Sequence, residues 1–413
     1  MEQLAPRVWY WQRPHATSIY ALLLWNVGSR HDPPQKEGLL HFLEHTLFKG
    51  TKRRSAQALS HRIERLGGEL NAFTTKDKMG IEVRIAPHFL YTALSTLYEL
   101  YREATFPEKE VEKEREVILE EEAMYEDIPE ESLLDHFEEQ IFTEGGLRHP
   151  IIGYPESIRA ISAEDIRRFY EDYLQKSPFV LMLTGPLSVR ETLGILKRTP
   201  WTGEYPTVSI PWTLEKVAPP AALHVGRRTQ QAHLVIGGLG PSLYDWKESI
   251  ALQLLLHELG GGMSSRLFRL LREKYGWCYN VYTFFYGYPD RSVWGIYAGL
   301  SPEAWTSARE VVLTQLKELM DKRLSEKKLK DLRRGFLGKQ ALAWESPGFR
   351  LSAQGRSILD MGALFDLHGW QEVALSLTSA NLQETAQKAF STLYERAYLP
   401  SESLMPTPEP TLP

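Results

Sequence analysis

The sequence predicts an α+β protein built from two similar halves. The order strand pair, helix, helix, hairpin and long helices occurs twice along the chain. Between the two occurrences, residues 199–222 are rich in proline, threonine and aromatic residues and lack a helical period. With 413 residues, 43% of them hydrophobic, the chain is long enough to bury a core in two or three domains. We therefore expect a first half at 1–198, a linker at 199–222, a second half at 223–400 and a disordered, proline-containing tail at 401–413.

In the first half, aromatic, aliphatic and β-branched runs predict strands, and apolar residues at helical spacing predict helices. The predicted strands are residues 7–12, 17–26, 69–75, 80–85 and 179–183. The predicted helices are residues 38–50, 55–66, 88–104, an acidic segment from 108 that is interrupted at Pro129 and resumes as a helix at 130–141, 162–173 and 188–197.

The second half repeats this order and ends in long helices. Strands are predicted within 223–238 and at 277–286 and 293–300. Helices are predicted at 248–259, 264–274, 302–322, 325–344, 349–360 and 379–398.

The helix at 38–50 carries the strongest chemical signal. Residues three and four apart share a helix face, so His41, Glu44 and His45 are neighbours. Two imidazoles one turn apart can bind one metal ion, and an adjacent carboxylate can take a proton from a metal-bound water. The alternative is an amphipathic helix whose two histidines are satisfied in a core, and three apolar residues do form a second face: Leu40, Leu43 and Leu47.

The pattern His-x-x-Glu-His is the inverted zinc-peptidase motif. On this motif, the sequence resembles the pitrilysin or insulinase family (M16) of zinc peptidases. Within that family it resembles the short members, which include the mitochondrial processing peptidases. The resemblance extends over nearly the whole chain. It implies two similar α+β halves, each a mostly antiparallel mixed sheet packed with helices, and one Zn²⁺ per chain.

A catalytic zinc needs a third protein ligand, which the acidic segment after Pro107 must supply. The residues alone do not decide which of the many carboxylates is the ligand. They show only that Glu114 and Glu121 lie two turns apart on one helix face. The resemblance favours Glu121, which ends a Val-Ile-x-x-Glu segment, and implies that Glu114 supports the site. Glu120 and Glu122 remain alternatives.

The resemblance also implies a catalytic cycle and a peptide-binding strand. Glu44 would activate a zinc-bound water and pass the proton to the leaving amine. The segment Gly-Gly-Glu-Leu-Asn-Ala-Phe-Thr, which begins at Gly67, is similar to the family's edge strand, so Asn71 and Ala72 would bind extended substrate main chain. The alternative is an ordinary strand after a Gly-Gly turn.

In the second half, Arg272 and Tyr279 match a family pair seven residues apart that would hold a substrate carbonyl. The alternative is an exposed arginine beside a core tyrosine. The surrounding sequence departs from the family pattern at three positions, which are Trp277, Cys278 and Asn280.

Three other features are not expected to be sites. His257-Glu258 lacks the second histidine of a His-Glu-x-x-His site, because glycines follow, and we interpret it as the degenerate counterpart of the first-half motif. The glycines at 237–240 lack dinucleotide-loop spacing. Cys278, the single cysteine, excludes an internal disulfide and has no histidine nearby in sequence to activate it.

Composition restricts the partners. A net charge of -5 gives no case for nucleic acid or an anionic membrane as partner. No apolar run approaches the roughly 20 residues that a membrane-spanning helix needs. The N-terminal residues lack the basic and apolar regions of a secretory signal, so we expect a cytoplasmic protein.

The sequence therefore predicts a zinc-dependent endopeptidase that cleaves peptides or unfolded segments in a closed chamber. The resemblance implies a homodimer in which the zinc half of one chain faces the Arg272 and Tyr279 half of the other. Two alternatives are a heterodimer with a zinc-free homologue and a non-catalytic subunit like the core proteins of respiratory complexes. The non-catalytic alternative is disfavoured because the chain retains the complete set of site residues: His41, Glu44, His45 and Glu121.

Overall fold

The computed structural model describes residues 1–205, 207–208 and 215–401. Residues 402–413 of the predicted tail lie outside this description, as do Pro206 and 209–214 of the predicted linker.

The chain forms two compact units that do not follow sequence order throughout. The first comprises Met1–Met124, Glu144–Glu215 and Ala341–Phe365. The second comprises Tyr125–Thr143, Lys216–Gln340 and the chain from Asp366 onwards. The domain limits expected from the sequence stay a prediction.

Both units contain strands and helices. The strands are β1 (Glu2–Ala5), β2 (Val8–Gln12), β3 (Ile19–Trp25), β4 (Glu69–Thr74), β5 (Met79–Ile85), β6 (Phe142–Glu144), β7 (Phe179–Gly185), β8 (Lys216–Val217), β9 (Ala222–Arg227), β10 (Ala232–Gly240), β11 (Cys278–Gly287), β12 (Ser292–Leu300) and β13 (Tyr394–Pro400). The helices are α1 (Leu39–Leu47), α2 (Ala56–Glu64), α3 (Leu90–Glu103), α4 (Glu108–Asp127), α5 (Pro129–Ile141), α6 (Pro155–Ala160), α7 (Ala163–Asp172), α8 (Val189–Leu196), α9 (Trp246–Gly260), α10 (Trp305–Asp321), α11 (Glu326–Glu345), α12 (Pro347–Met361), α13 (Leu367–Ser376) and α14 (Ser379–Ala389).

Each unit contains one mixed sheet. The first sheet has the order β1-β2-β7-β3-β5-β4, and the second has the order β11-β12-β10-β13-β9. In the first, only β2 and β7 run parallel. In the second, only β13 and β9 run parallel. The α+β class and the mostly antiparallel mixed sheets are therefore confirmed.

The first sheet is covered on both faces, which explains why β3 is an uninterrupted apolar run. Alternate strand residues point to opposite faces. Ile19, Leu23 and their neighbours of the same parity join a large core that includes α1 and α3. Leu22 and Leu24 instead pack in a smaller cluster with Leu351 of α12.

Three elements of the second unit differ from the sequence-based expectation. The predicted helix 379–398 is wrong in its second part, because α14 ends at Ala389 and β13 follows. Tyr394 and Tyr398 are buried there between β10 and β9, so sheet pairing overrides local helix propensity. The predicted helix 264–274 contains a π-helix at Phe268–Lys274, and α13 was not predicted.

In the described residues no helix is long and apolar enough to cross a membrane.

The motif helix α1 begins at a position that only glycine fits well. Gly38 has φ of 90°, and a Cβ there would lie 2.3 Å from the carbonyl oxygen of Ile152. The carboxylate of Asp32 accepts hydrogen bonds from the backbone N–H groups of Gly38 and Leu40, at 2.8 and 3.0 Å. These bonds satisfy two of the free N–H groups at the helix start and fix its direction.

Replacement of Gly38 by alanine is expected to lower the free energy of unfolding by about 2–5 kcal/mol. Left-handed backbone costs an L-residue about 1–2 kcal/mol, and overpacking adds about 1–3 kcal/mol. The matched control is Gly67→Ala, because Gly67 has φ of 70° but no atom within 4 Å of the added Cβ. The control should lose about 1–2 kcal/mol in urea unfolding, from the backbone cost alone. Equal losses in the two variants would show that the Ile152 contact is unimportant.

Candidate metal centre

Helix α1 presents its polar face because its apolar face is buried. Leu40, Leu43 and Leu47 have no exposed surface and lie in the core of the first unit. Each fully buried leucine contributes about 1.5–3 kcal/mol of hydrophobic free energy, which fixes the rotation of the helix about its axis. His41 and His45 therefore lie side by side on the other face, with ring centroids 4.7 Å apart.

Helix α4 brings a carboxylate to the two histidines. One donor atom each of His41, His45 and Glu121 lies within 4.8 Å of the other two, and among the described residues no other three side chains of this kind meet so closely. Nε2 of His45 is 3.3 Å from Oε2 of Glu121. Glu120 is exposed, and neither it nor Glu122 belongs to the group. The geometry agrees with the residue favoured from the sequence, and the ligand role of Glu121 remains a prediction.

Arg115 holds α4 against α1. Its guanidinium lies 5.3 Å from the ring centroid of Phe42 on α1 and donates a hydrogen bond to the carbonyl oxygen of Ile158. Val111 and Ile118, on the same side of α4, are buried in the core. These contacts place Glu121 beside His45.

The two histidines are suited to bind a cation. Burial, with a smaller effect from the neighbouring His45, lowers the pKa of His41 from 6.5 to about 3. His41 is therefore neutral at physiological pH, and its Nδ1 is buried with no hydrogen-bond partner among the described residues. Two imidazoles and one carboxylate form a donor set that zinc prefers, so the residues present fit a zinc ion.

Glu114 connects the histidine to a lysine. Its Oε2 lies 3.4 Å from Nδ1 of His45, and its Oε1 lies 2.5 Å from Nζ of Lys49. A carboxylate that accepts a hydrogen bond from Nδ1–H leaves Nε2 free to bind a metal and fixes the ring orientation. This contact agrees with the supporting role that the resemblance implied for Glu114. Lys49 was not singled out from the sequence, although it lies one turn after His45.

Glu44 points to the end of an edge strand. It is half-buried, burial raises the pKa of its carboxyl group, and its Oε2 accepts a hydrogen bond of 2.5 Å from the hydroxyl of Thr74. Asn71 and Ala72 lie on the same strand, β4, opposite Glu82 and Ile81 of β5. Because β4 ends the sheet order, its second edge is unpaired in the described sheet and can accept an extended peptide.

Arg272 and Tyr279 lie together in the second unit. Nη1 of Arg272 donates a hydrogen bond of 2.7 Å to the carbonyl oxygen of Tyr279, and the guanidinium lies 4.9 Å from the tyrosine ring centroid. The Tyr279 side chain is 75% exposed on the edge strand β11, so the alternative of a core tyrosine is wrong. The pair is preassembled, and its role toward substrate stays a prediction.

The other sequence features have structural roles. Glu258 is buried and forms ion pairs with Arg266 and Lys328. The glycines at 237–240 lie in β10, next to the buried Trp294. Burial raises the pKa of Cys278 to about 11, which disfavours the reactive thiolate.

Comparisons with known proteins show which families and relatives the chain is similar to. Residues 7–154 match the family described as insulinase (peptidase family M16), and residues 160–336 match the peptidase M16 inactive domain. The chain is 30% identical over 397 residues to the uncharacterised zinc protease YmxG of Bacillus subtilis, covering 94% of each protein. It is 30% identical over 369 residues to an uncharacterised zinc protease of Streptomyces coelicolor, covering 88% of this chain and 80% of that protein.

Two crystal structures have the same fold. A protease from Helicobacter pylori superimposes with a TM-score of 0.87 at 22% identity, covering 95% of this chain and 96% of that one. A peptidase M16 inactive domain from Pseudomonas fluorescens superimposes with a TM-score of 0.85 at 20% identity, covering 98% and 97%.

Replacement of Glu121 by glutamine is expected to weaken zinc binding by more than about 100-fold, since loss of a supporting residue alone typically costs about 10–100-fold. The matched control is Glu120→Gln, which changes the adjacent exposed carboxylate and should leave the affinity within about twofold of wild type. Competition with a chromophoric chelator measures both affinities. If the Glu120 variant loses zinc and the Glu121 variant keeps it, the ligand assignment is wrong.

Proposed function

The chain belongs to peptidase family M16, and on that premise we propose that it is a zinc-dependent endopeptidase acting on peptides or unfolded protein segments. The observation that carries the proposal is the convergence of His41, His45 and Glu121 beside Glu44. The family, the relatives named as zinc proteases and the donor set support the same chemistry.

His41, His45 and Glu121 would hold the zinc ion, one per chain. When bound, zinc polarises the scissile carbonyl group and makes water a stronger nucleophile near neutral pH. Glu114 orients His45 through Nδ1, and Lys49 balances the charge of Glu114.

Glu44 is the proposed general base and acid. Its carboxylate takes a proton from the attacking water and gives it to the leaving amine as the peptide bond breaks. Burial raises the pKa of Glu44, which makes the carboxylate a stronger base than an exposed one.

The free edge of β4 would bind the substrate as an added strand. Main-chain hydrogen bonds do not depend on the side chains of the peptide, so this mode of binding permits broad specificity. Asn71 and Ala72 are the positions at which we expect the substrate main chain to pair.

Arg272 and Tyr279 would bind a substrate carbonyl and stabilise its developing negative charge. Their mutual contacts and the exposure of Tyr279 support this role. We further propose that two chains form a homodimer enclosing a chamber, in which the pair from one chain completes the zinc site of the other.

Replacement of Glu44 by glutamine is expected to lower kcat by about 10²–10⁴-fold, because it removes the proton acceptor and keeps the shape of the side chain. Zinc content should remain at one per chain, since Glu44 is not a proposed ligand. Cleavage of a fluorogenic peptide library and metal analysis of the same sample test both statements. Wild-type protein that holds no stoichiometric zinc and cleaves no library member would contradict the proposed function.

A mixed dimer tests the shared site. Chains carrying Glu44→Gln and Tyr279→Phe are co-expressed with different affinity tags, and the heterodimer is purified on both. It should show about half of wild-type activity, because one of its two sites combines an intact Glu44 with an intact Tyr279. Each single-variant homodimer is the control, with a loss of about 10²-fold or more. A heterodimer as inactive as these controls would show that each site is completed within one chain.

A further inference from the structure

Thr74 occupies a position where an apolar row of the edge strand meets the polar face of α1. Alternate residues of β4 share a face, and Leu70 and Ala72 pack against the core of the first unit. Thr74 is the next member of that row and the last residue of the strand. At this position, next to Glu44, the row has the hydroxyl-bearing side chain of Thr74 in place of an aliphatic side chain.

The contact between the two side chains is short and specific. The hydroxyl oxygen of Thr74 lies 2.5 Å from Oε2 of Glu44, at the short end of the range for hydroxyl groups that donate to carboxylates. Among the described residues, Thr74 provides the only hydrogen bond recorded to the Glu44 side chain. The hydroxyl binds Oε2, and among the described residues no side chain or backbone group is hydrogen-bonded to the other oxygen, Oε1.

Thr74 is held in place by groups that do not touch the metal centre. The turn that follows it is closed by a hydrogen bond of 2.8 Å from the backbone N–H of Thr75 to the carbonyl oxygen of Lys78. In the same turn, Asp77 is buried and pairs with Lys78 and with Arg356 of α12, at 3.1 and 2.7 Å. Lys78 also pairs with Asp360 of α12, at 2.8 Å. The end of β4 is therefore anchored to α12 by buried ion pairs.

We propose that Thr74 is a positioning residue that holds the Glu44 carboxylate with Oε1 directed to the attacking water. The inference rests on the proposed function and adds a physical link between the peptide-binding strand and the catalytic base. A peptide paired with β4 lies beside the same strand whose last side chain sets the orientation of the base. The same strand, β4, therefore aligns both the substrate and the catalytic base, and this favours the geometry that proton transfer needs.

The test compares Thr74→Val with Thr74→Ser. Valine keeps the shape and the strand propensity but removes the hydroxyl, whereas serine keeps the hydroxyl. Thr74→Val should lower kcat by about 10–100-fold, the effect expected of a misplaced catalytic group, with KM and zinc affinity within about twofold of wild type. Thr74→Ser should restore most of kcat.

A matched control separates this effect from lost stability. The Thr51 hydroxyl donates an equally short bond of 2.5 Å to the buried Glu99 in the same unit, outside the metal group. Thr51→Val should lower the unfolding free energy without changing kcat. If Thr74→Val and wild type have the same kcat, or if serine fails to rescue, the proposed role is wrong.

A second measurement does not depend on turnover. Crystal structures of wild type, Thr74→Ser and Thr74→Val should show the Glu44 carboxylate hydrogen-bonded to the residue 74 hydroxyl in the first two and reoriented in the third. An unchanged Glu44 in the valine variant would overturn the inference. Absence of zinc-dependent cleavage in wild type would instead contradict the proposed function, so the two failures can be distinguished.

Discussion

The packing of α4 against α1 is the contact on which the candidate site depends. Two ligands and the base lie on α1, but the third ligand must come from another helix. Arg115 links α4 to both neighbours, because its guanidinium lies over the ring of Phe42 of α1 and donates to the carbonyl oxygen of Ile158 of α6. Together with the buried side chains of Val111 and Ile118, this contact places Glu121 beside His45.

Two polar side chains at the site, His45 and Glu44, each have one atom bound by the protein and another atom left available. Glu114 binds Nδ1 of His45 and leaves Nε2. Thr74 binds Oε2 of Glu44 and leaves Oε1. His41 is kept neutral by burial. Such preorganisation means that few side chains need to move when metal or substrate binds, which lowers the reorganisation that catalysis requires.

The site was predictable from the sequence to the extent that its geometry is local. The spacing of His41, Glu44 and His45 suffices to place them on one helix face. Helical spacing also places Glu114 and Glu121 on one face. It could not exclude Glu120 as the third ligand, because the identity of that ligand depends on how α4 packs. The contact of Thr74 with Glu44 was not predicted, because the two residues lie thirty positions apart and the sequence does not show that their side chains meet. The strand β13 was mistaken for helix for the same kind of reason: its conformation is set by neighbours distant in sequence.

Anomalous diffraction at the zinc absorption edge, from crystals of the wild-type chain grown with zinc, tests the central claim most directly. The account predicts one peak per chain, at about 2.0–2.2 Å from a nitrogen of His41, a nitrogen of His45 and a carboxylate oxygen of Glu121. A zinc ion bound elsewhere, or one held by Glu120 in place of Glu121, would contradict it.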